Sequence, residues 1–238
     1  SSKCEPVVMD EQFNSAVTDI FRNEYLSPRS PYTTLQIPKQ GIGEWCHPLH
    51  TVDIDDSGLR SSVQKGVLNT KLGVPFRTPA EGQNIAFTSL WDNYPDSLTV
   101  SLKGKASRAY LLMAGSTNHM QCHIDNGLIR VYYKDGTCDK MALRNPDNWA
   151  PIEHIFFEDG LAFNRHAPAL YRLRLKTGEI SNNFGEELGF PGASRELDGG
   201  AAILLEMPLN PDKKLSHLVL ETLSNDVVIG LMGITLQR

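Results

Sequence analysis

Beyond residue 84, short runs of β-branched and aromatic residues recur between turn signals. They span Asn84–Leu90, Ser97–Leu102, Ala109–Ala114, Leu128–Tyr133, Asp139–Leu143, Ala169–Leu175, Ala201–Met207, Leu215–Leu223 and Val227–Leu236. Several of them alternate apolar and polar residues, the period of a strand with one buried face. In Leu128–Tyr133 the residues Ile129, Val131 and Tyr133 face one way, and Leu128, Arg130 and Tyr132 the other. In Tyr171–Lys176, Tyr171, Leu173 and Leu175 are expected inward and Arg172, Arg174 and Lys176 outward. Ala109–Ala114 is apolar on both sides, which predicts a central strand covered on both faces. With no strand–helix–strand rhythm, the pattern predicts a mainly β protein, an antiparallel β-sandwich.

The first third reads differently. Phe13, Val17, Ile20 and Phe21 recur at helical spacing, Asp10 stands where a cap is needed and Ser27-Pro28 stops the pattern, so residues 10–24 are predicted to be one amphipathic helix. Residues 26–84 are rich in Pro, Gly, Ser and Asp but carry Tyr32, Trp45 and Phe76, too many aromatics for a disordered linker. We expect an extended arm with one short helix around Asp55–Lys65. The domain reading is a helix and arm over residues 1–83, packed on a sandwich of residues 84–238, and the arm is the candidate second cover for Ala109–Ala114.

Tyr133-Lys-Asp-Gly136 carries an Asp-Gly turn signal, making Leu128–Tyr133 and Asp139–Leu143 a hairpin. Cys138 then sits near the turn and Cys122 near the far end, well beyond the Cα spacing of about 7 Å that a disulfide tolerates, so no Cys122–Cys138 bond is expected. Four cysteines (Cys4, Cys46, Cys122 and Cys138) without a C-x-x-C pair argue against a zinc ribbon or a thioredoxin-like site.

The length of 238 residues is ample for a core without a metal or disulfide. A net charge of −5 and scattered Lys and Arg argue against a nucleic-acid partner. No stretch approaches the ~20 apolar residues of a membrane span. The chain opens on Ser1-Ser2 rather than Met, so we expect a processed protein or a piece of a longer one. The histidines show no H-x-H or H-E-x-x-H grouping, and P-loop, dinucleotide and nucleophile-elbow motifs are missing.

A strand ending in "AGSTN", a strand running into "YKDG", the polar turn "NPDNW" and the closing "MPLNPDKKLSHLVLETLSNDVVIGLMGITL" together resemble the galactose-binding-like, jelly-roll β-sandwich carried as an accessory module by many bacterial glycoside hydrolases. The likeness covers residues 84–238. "IFRNEYLSPRSPYTTLQIPKQGIGEWCHP" and "SLWDNYP" also look like the C-terminal region of proteins from gut-bacterial glycan-degradation systems. The resemblance implies a carbohydrate or a neighbouring glycoside hydrolase domain as partner, and an extracytoplasmic location in the periplasm or at the cell surface.

Three constellations carry candidate chemistry. Arg144-Asn-Pro-Asp-Asn-Trp149, with Glu153 and His154 behind it, joins an aromatic to polar groups suited to sugar hydroxyls. Asn148, Trp149, Glu153, His154 and the further aromatic Trp91 are therefore candidate carbohydrate-binding residues, although a Trp closing a hairpin also packs against a sandwich edge. Trp91-Asp-Asn-Tyr-Pro-Asp96 offers Asp92 and Asp96 to a structural calcium, or is a solvated turn. No other cofactor is expected. Gly41-Ile-Gly-Glu-Trp-Cys-His47 supplies Glu44, which with Asp53 or Asp92 would be the acid pair of a glycoside hydrolase, while Cys46 and His47 have the types of a nucleophile and base. An anchoring role for Trp45 is the simpler reading. The sequence therefore favours a non-catalytic carbohydrate-associated module, with a glycoside hydrolase and a purely structural interaction domain as alternatives.

Overall fold

A computed structural model describes residues 3–22, 26, 53–117, 122–155, 168–184 and 196–238. Within them the chain is mainly β and its principal sheets are antiparallel, curling into a sandwich-like half-barrel. The strands are β1 (Cys4–Pro6), β2 (Val63–Gln64), β3 (Val67–Asn69), β4 (Pro75–Arg77), β5 (Ala86–Ser89), β6 (Ser97–Ser101), β7 (Arg108–Thr117), β8 (Asp125–Tyr133), β9 (Cys138–Arg144), β10 (Tyr171–Arg174), β11 (Ile180–Ser181), β12 (Ala201–Pro208), β13 (Leu215–Thr222) and β14 (Val227–Gln237). Each of the nine predicted runs overlaps one of the strands β5–β10 and β12–β14. The arm supplies one short helix, α1 (Ser57–Ser61), inside the predicted window.

A seven-stranded sheet runs β1-β14-β7-β12-β10-β11, with β5 also on β14. β1 pairs with the C-terminal part of β14 and β5 with its N-terminal part. A four-stranded sheet runs β6-β13-β8-β9, and β2-β3-β4 form a small third sheet. One core lies between the two large sheets. Leu111 and Met113 of β7, Ile203 and Leu205 of β12, and Ile229 and Ile234 of β14 meet Val100, Ile129, Val131, Leu218 and Leu220 there. A second core covers the other face of the larger sheet, where Leu112, Ala114, Ala202, Leu204 and Val228 meet Val17, Ile20, Phe21, Leu59, Leu68 and Phe76. β7 is thus covered on both faces, as its unbroken apolar run requires, and residues from the first third supply the second cover.

Two bulges keep the alternation in phase with the cores. Along β14 the residues at 227, 229 and 231 enter the first core, and after the irregularity between Leu231 and Gly233 the residues at 234 and 236 do so. The extra residue, Met232, goes to the second core. The same shift between Leu215 and His217 in β13 lets Leu215, Leu218 and Leu220 all point inward. One inserted residue reverses which face each following side chain takes.

Of the helix predicted over residues 10–24, the described part, residues 10–22, does not form; Asp10–Gln12 and Val17–Asp19 are single 3-10 turns. Between them the chain is extended and Ser15 bridges to Ile85. The Asn14 side chain both donates to Phe87 O (3.0 Å) and accepts from Phe87 N (2.9 Å), and Asn84 Oδ1 takes the Val17 amide (2.9 Å). These bonds to β5 and to Asn84 before it stand in place of i→i−4 bonds. Phe13 and Val17, one helical turn apart in sequence, enter different cores, which one helix face cannot do.

Arg172 is a second correction. Leu173 and Leu175 are buried as expected, but Arg172 is only 5% exposed whereas Tyr171 is 39% exposed. The segment after β9 crosses that face of β10. Arg172 donates to the carbonyls of Pro151 and Ala201 (2.9 Å each) and of His154. No disulfide joins Cys122 to Cys138, as the hairpin geometry predicts.

Candidate functional site

The four-stranded sheet presents a regular outer face. Its strands alternate, so the residues between the buried ones form rows across the sheet. One row is Ser101, His217, Tyr132 and Cys138; the next is Thr99, Val219, Arg130 and Lys140; the third is Ser97, Glu221, Leu128 and Ala142. All are half-buried or exposed. The rings of Tyr132 and His217 stack at 4.8 Å with 15° between their planes. Small side chains, Ser101 and Cys138, flank the ring pair on either side. His217 Nδ1 is tied to Ser216 Oγ at 2.8 Å. Arg130 Nη1 donates to Glu221 Oε2 at 3.1 Å. The face carries an aromatic pair, with Ser101 in its own row and Thr99, Arg130 and Lys140 in the next.

The adjoining turn is stiff. Asp135 Oδ1 accepts the Thr137 amide (2.9 Å) and hydroxyl (2.5 Å), and Lys213 Nζ reaches Asp135 Oδ2 at 3.0 Å. Those bonds hold the Asp135 carboxyl down to about 2. Gly136 takes φ +87°, the left-handed value that an Asp-Gly turn needs. The Tyr133 hydroxyl donates to Asp139 and accepts the Asn210 amide (2.7 Å). Burial, aided by Asp139, pushes that phenol up to about 12.

The predicted sugar-binding residues do not gather on one surface. Trp149 is fully enclosed, donates Nε1–H to Thr117 Oγ1 at 2.8 Å and lies against Gly115. Its ring belongs to the first core and is out of a surface ligand's reach, because an indole that closes the hairpin gains more by burial than by exposure. Glu153 is 1% exposed, and its charge opposes the effect of burial on Arg172, whose guanidinium is pushed down to about 10. His154 bridges to Glu196. Asn148 caps the edge of β9. Its Oδ1 accepts the Arg144 amide and its Nδ2 donates to Ala142 O, both at 2.8 Å, as a neighbouring strand would. Trp91 is half-buried in its loop, where its amide donates to Ser89 Oγ at 3.2 Å.

Asp92 Oδ1 already accepts the Leu26 amide (2.8 Å), and Asp96 is exposed. Among the described residues no three His, Cys, Asp or Glu side chains come together as metal ligands. Of the alternative acid pair, Asp53 and Asp92 are both exposed, and Glu44, like Trp45, Cys46 and His47, lies outside the described residues.

The outward position of Tyr132 is legible from the alternation of β8. His217 was missed: counted from Leu215 it should point inward, and only the bulge turns it outward beside Tyr132. No helix among the described residues is long and apolar enough to cross a membrane. No family model, curated protein or solved structure matches the chain.

Proposed function

We propose that the protein is a non-catalytic carbohydrate-associated module, a sandwich of the galactose-binding-like, jelly-roll type working in an extracytoplasmic glycan-degrading system beside a glycoside hydrolase domain. The observation that carries this is the outer face of the four-stranded sheet, with the Tyr132–His217 stack beside Arg130 and Glu221. A sugar ring offers an apolar face to an aromatic and hydroxyls to polar neighbours. The flank of Tyr132 above Cys138 gives the first. Arg130 and Lys140 in the adjoining row give donors for the second.

Titration calorimetry against a panel of plant and host polysaccharides tests the proposal. Binding is expected, with loss of more than tenfold in affinity for Tyr132→Ala and little change for Trp91→Ala. Binding by none of the panel, or loss in Trp91→Ala with Tyr132→Ala unaffected, overturns it.

A further inference from the structure

The two edges of the four-stranded sheet are finished differently. Strand edges carry unpaired N–H and C=O groups that invite another chain, and proteins blunt them with charges or caps. The β9 edge has both: Asp139, Lys140 and Arg144 lie along it, and Asn148 fills the Arg144 amide and the Ala142 carbonyl. The β6 edge has neither. Its sequence, Ser97-Leu-Thr-Val-Ser101, has no charge and no proline.

The register shows which of its groups are free. Thr222 N donates to Asp96 O and Leu102 N to Ser216 O, so the residues at 96, 98, 100 and 102 turn their backbone groups toward β13. In an antiparallel ladder such residues alternate with those facing the other way. Ser97, Thr99 and Ser101 therefore present their N–H and C=O groups to the open edge, and all three are exposed. Among the described residues no strand pairs there.

We propose that this edge joins a second copy of the same chain, β6 against β6 in antiparallel register about Thr99. The segment reads the same in both directions by residue type: hydroxyl, apolar, hydroxyl, apolar, hydroxyl. A two-fold axis through Thr99 sets Thr99 against the partner's Thr99 and Ser97 against the partner's Ser101. Each of these pairs exchanges both of its backbone hydrogen bonds. Leu98 meets the partner's Val100 on the core side, and hydroxyl side chains pair on the outer side, a favourable cross-strand match. The ends agree in charge as well. Exposed Asp96 comes alongside the partner's Lys103 and Lys105, and among the described residues no ion pair of the protomer involves any of the three. The interface is isologous and closes on itself. The axis stands perpendicular to the sheet, so both Tyr132–His217 pairs lie on one face of a continuous double sheet. A polymeric ligand that reaches both would be held by two sites at once. The self-pairing itself stands on the edge alone, whatever the face binds.

Sedimentation velocity over a protein concentration series tests it. The native chain is expected to pass from monomer to dimer. Thr99→Lys sets like charges directly opposite and is expected to weaken the dimer at least tenfold, with an unchanged circular dichroism spectrum confirming the fold. A positive control avoids dependence on that variant. Opposed residues of a hydrogen-bonded pair lie about 5.5 Å apart at Cα, within disulfide reach. Thr99→Cys should thus oxidise to a covalent dimer, whereas Lys140→Cys on the capped edge should do so no more than the native chain. A native chain that stays monomeric throughout, or a dimer that Thr99→Lys leaves as tight as before, overturns the proposal.

Discussion

At Gly115 there is no room for a side chain. A Cβ would stand 2.2 Å from Trp149 Cζ2 and 2.5 Å from Val228 O. Trp149 needs that space because its ring fills the core while Nε1 reaches Thr117 Oγ1. Gly115→Ala is expected to cost about 3 kcal/mol, the upper end for overpacking. In a Trp149→Phe background, which lacks Cζ2, it should cost measurably less; urea unfolding of both singles and the double reads the difference. Tyr133 gives a pH test. Its phenol titrates at about 12 in the folded chain against an ordinary 10, so folding favours the neutral form. That contribution is whole below pH 10 and is lost as the pH rises from 10 through about 12. The urea midpoint of the native chain should fall across that window, and Tyr133→Phe should flatten the fall. Asp135 acts in the opposite sense: its depressed carboxyl supports the turn above the ordinary carboxylate range and stops doing so as the pH drops through about 2.

At the scale of elements, the bulges decide which faces are buried. Deleting Met232 would close the bulge of β14 and turn Ile234 and Leu236, both fully buried in the first core, out of it. The deletion is expected to abolish cooperative thermal unfolding and the near-UV circular dichroism signal. Met232→Ala keeps the register and should cost only the 2–5 kcal/mol, roughly, of a large-to-small core change. The strands themselves are legible because each of the nine runs is apolar enough to need a sheet. The bulges are not, because nothing in the residue type of Met232 or Ser216 marks it as the extra one. The N-terminal segment fails for a related reason. Phe13, Val17, Ile20 and Phe21 are spaced as on a helix and are all buried, but the Asn14 side chain pairs with Phe87 of β5 and Asn84 takes the Val17 amide, which holds the segment out of a helix.

At the scale of the whole molecule, β7, β12 and β14 contribute to both cores at once. A division at residue 83 therefore does not predict two unfolding units. Far-UV and near-UV signals should give one coincident transition, and Phe76→Ala, removing a fully buried ring from the second core, should lower the whole of it by about 3–5 kcal/mol. Arg172 ties the segment Pro151–His154 to β10 and β12 through three carbonyls. Arg172→Ala leaves the buried Glu153 charge without that neighbour, and is expected to cost about 3–5 kcal/mol in the same assay.

The candidate face divides along the same line. Alternation in β8 settles that Tyr132 points away from the core, since Ile129, Val131 and Tyr133 cannot be buried otherwise. That His217 stands beside it, that Asn148 seals one edge while Ser97–Ser101 leaves the other open, and that Arg172 is buried are matters of register and crossing, set by residues far apart in the chain. Local pattern determines which side chains leave water, because burial of apolar surface repeats with the geometry of the strand. Which buried and exposed groups then meet depends on pairing between distant strands, and only the folded chain decides that.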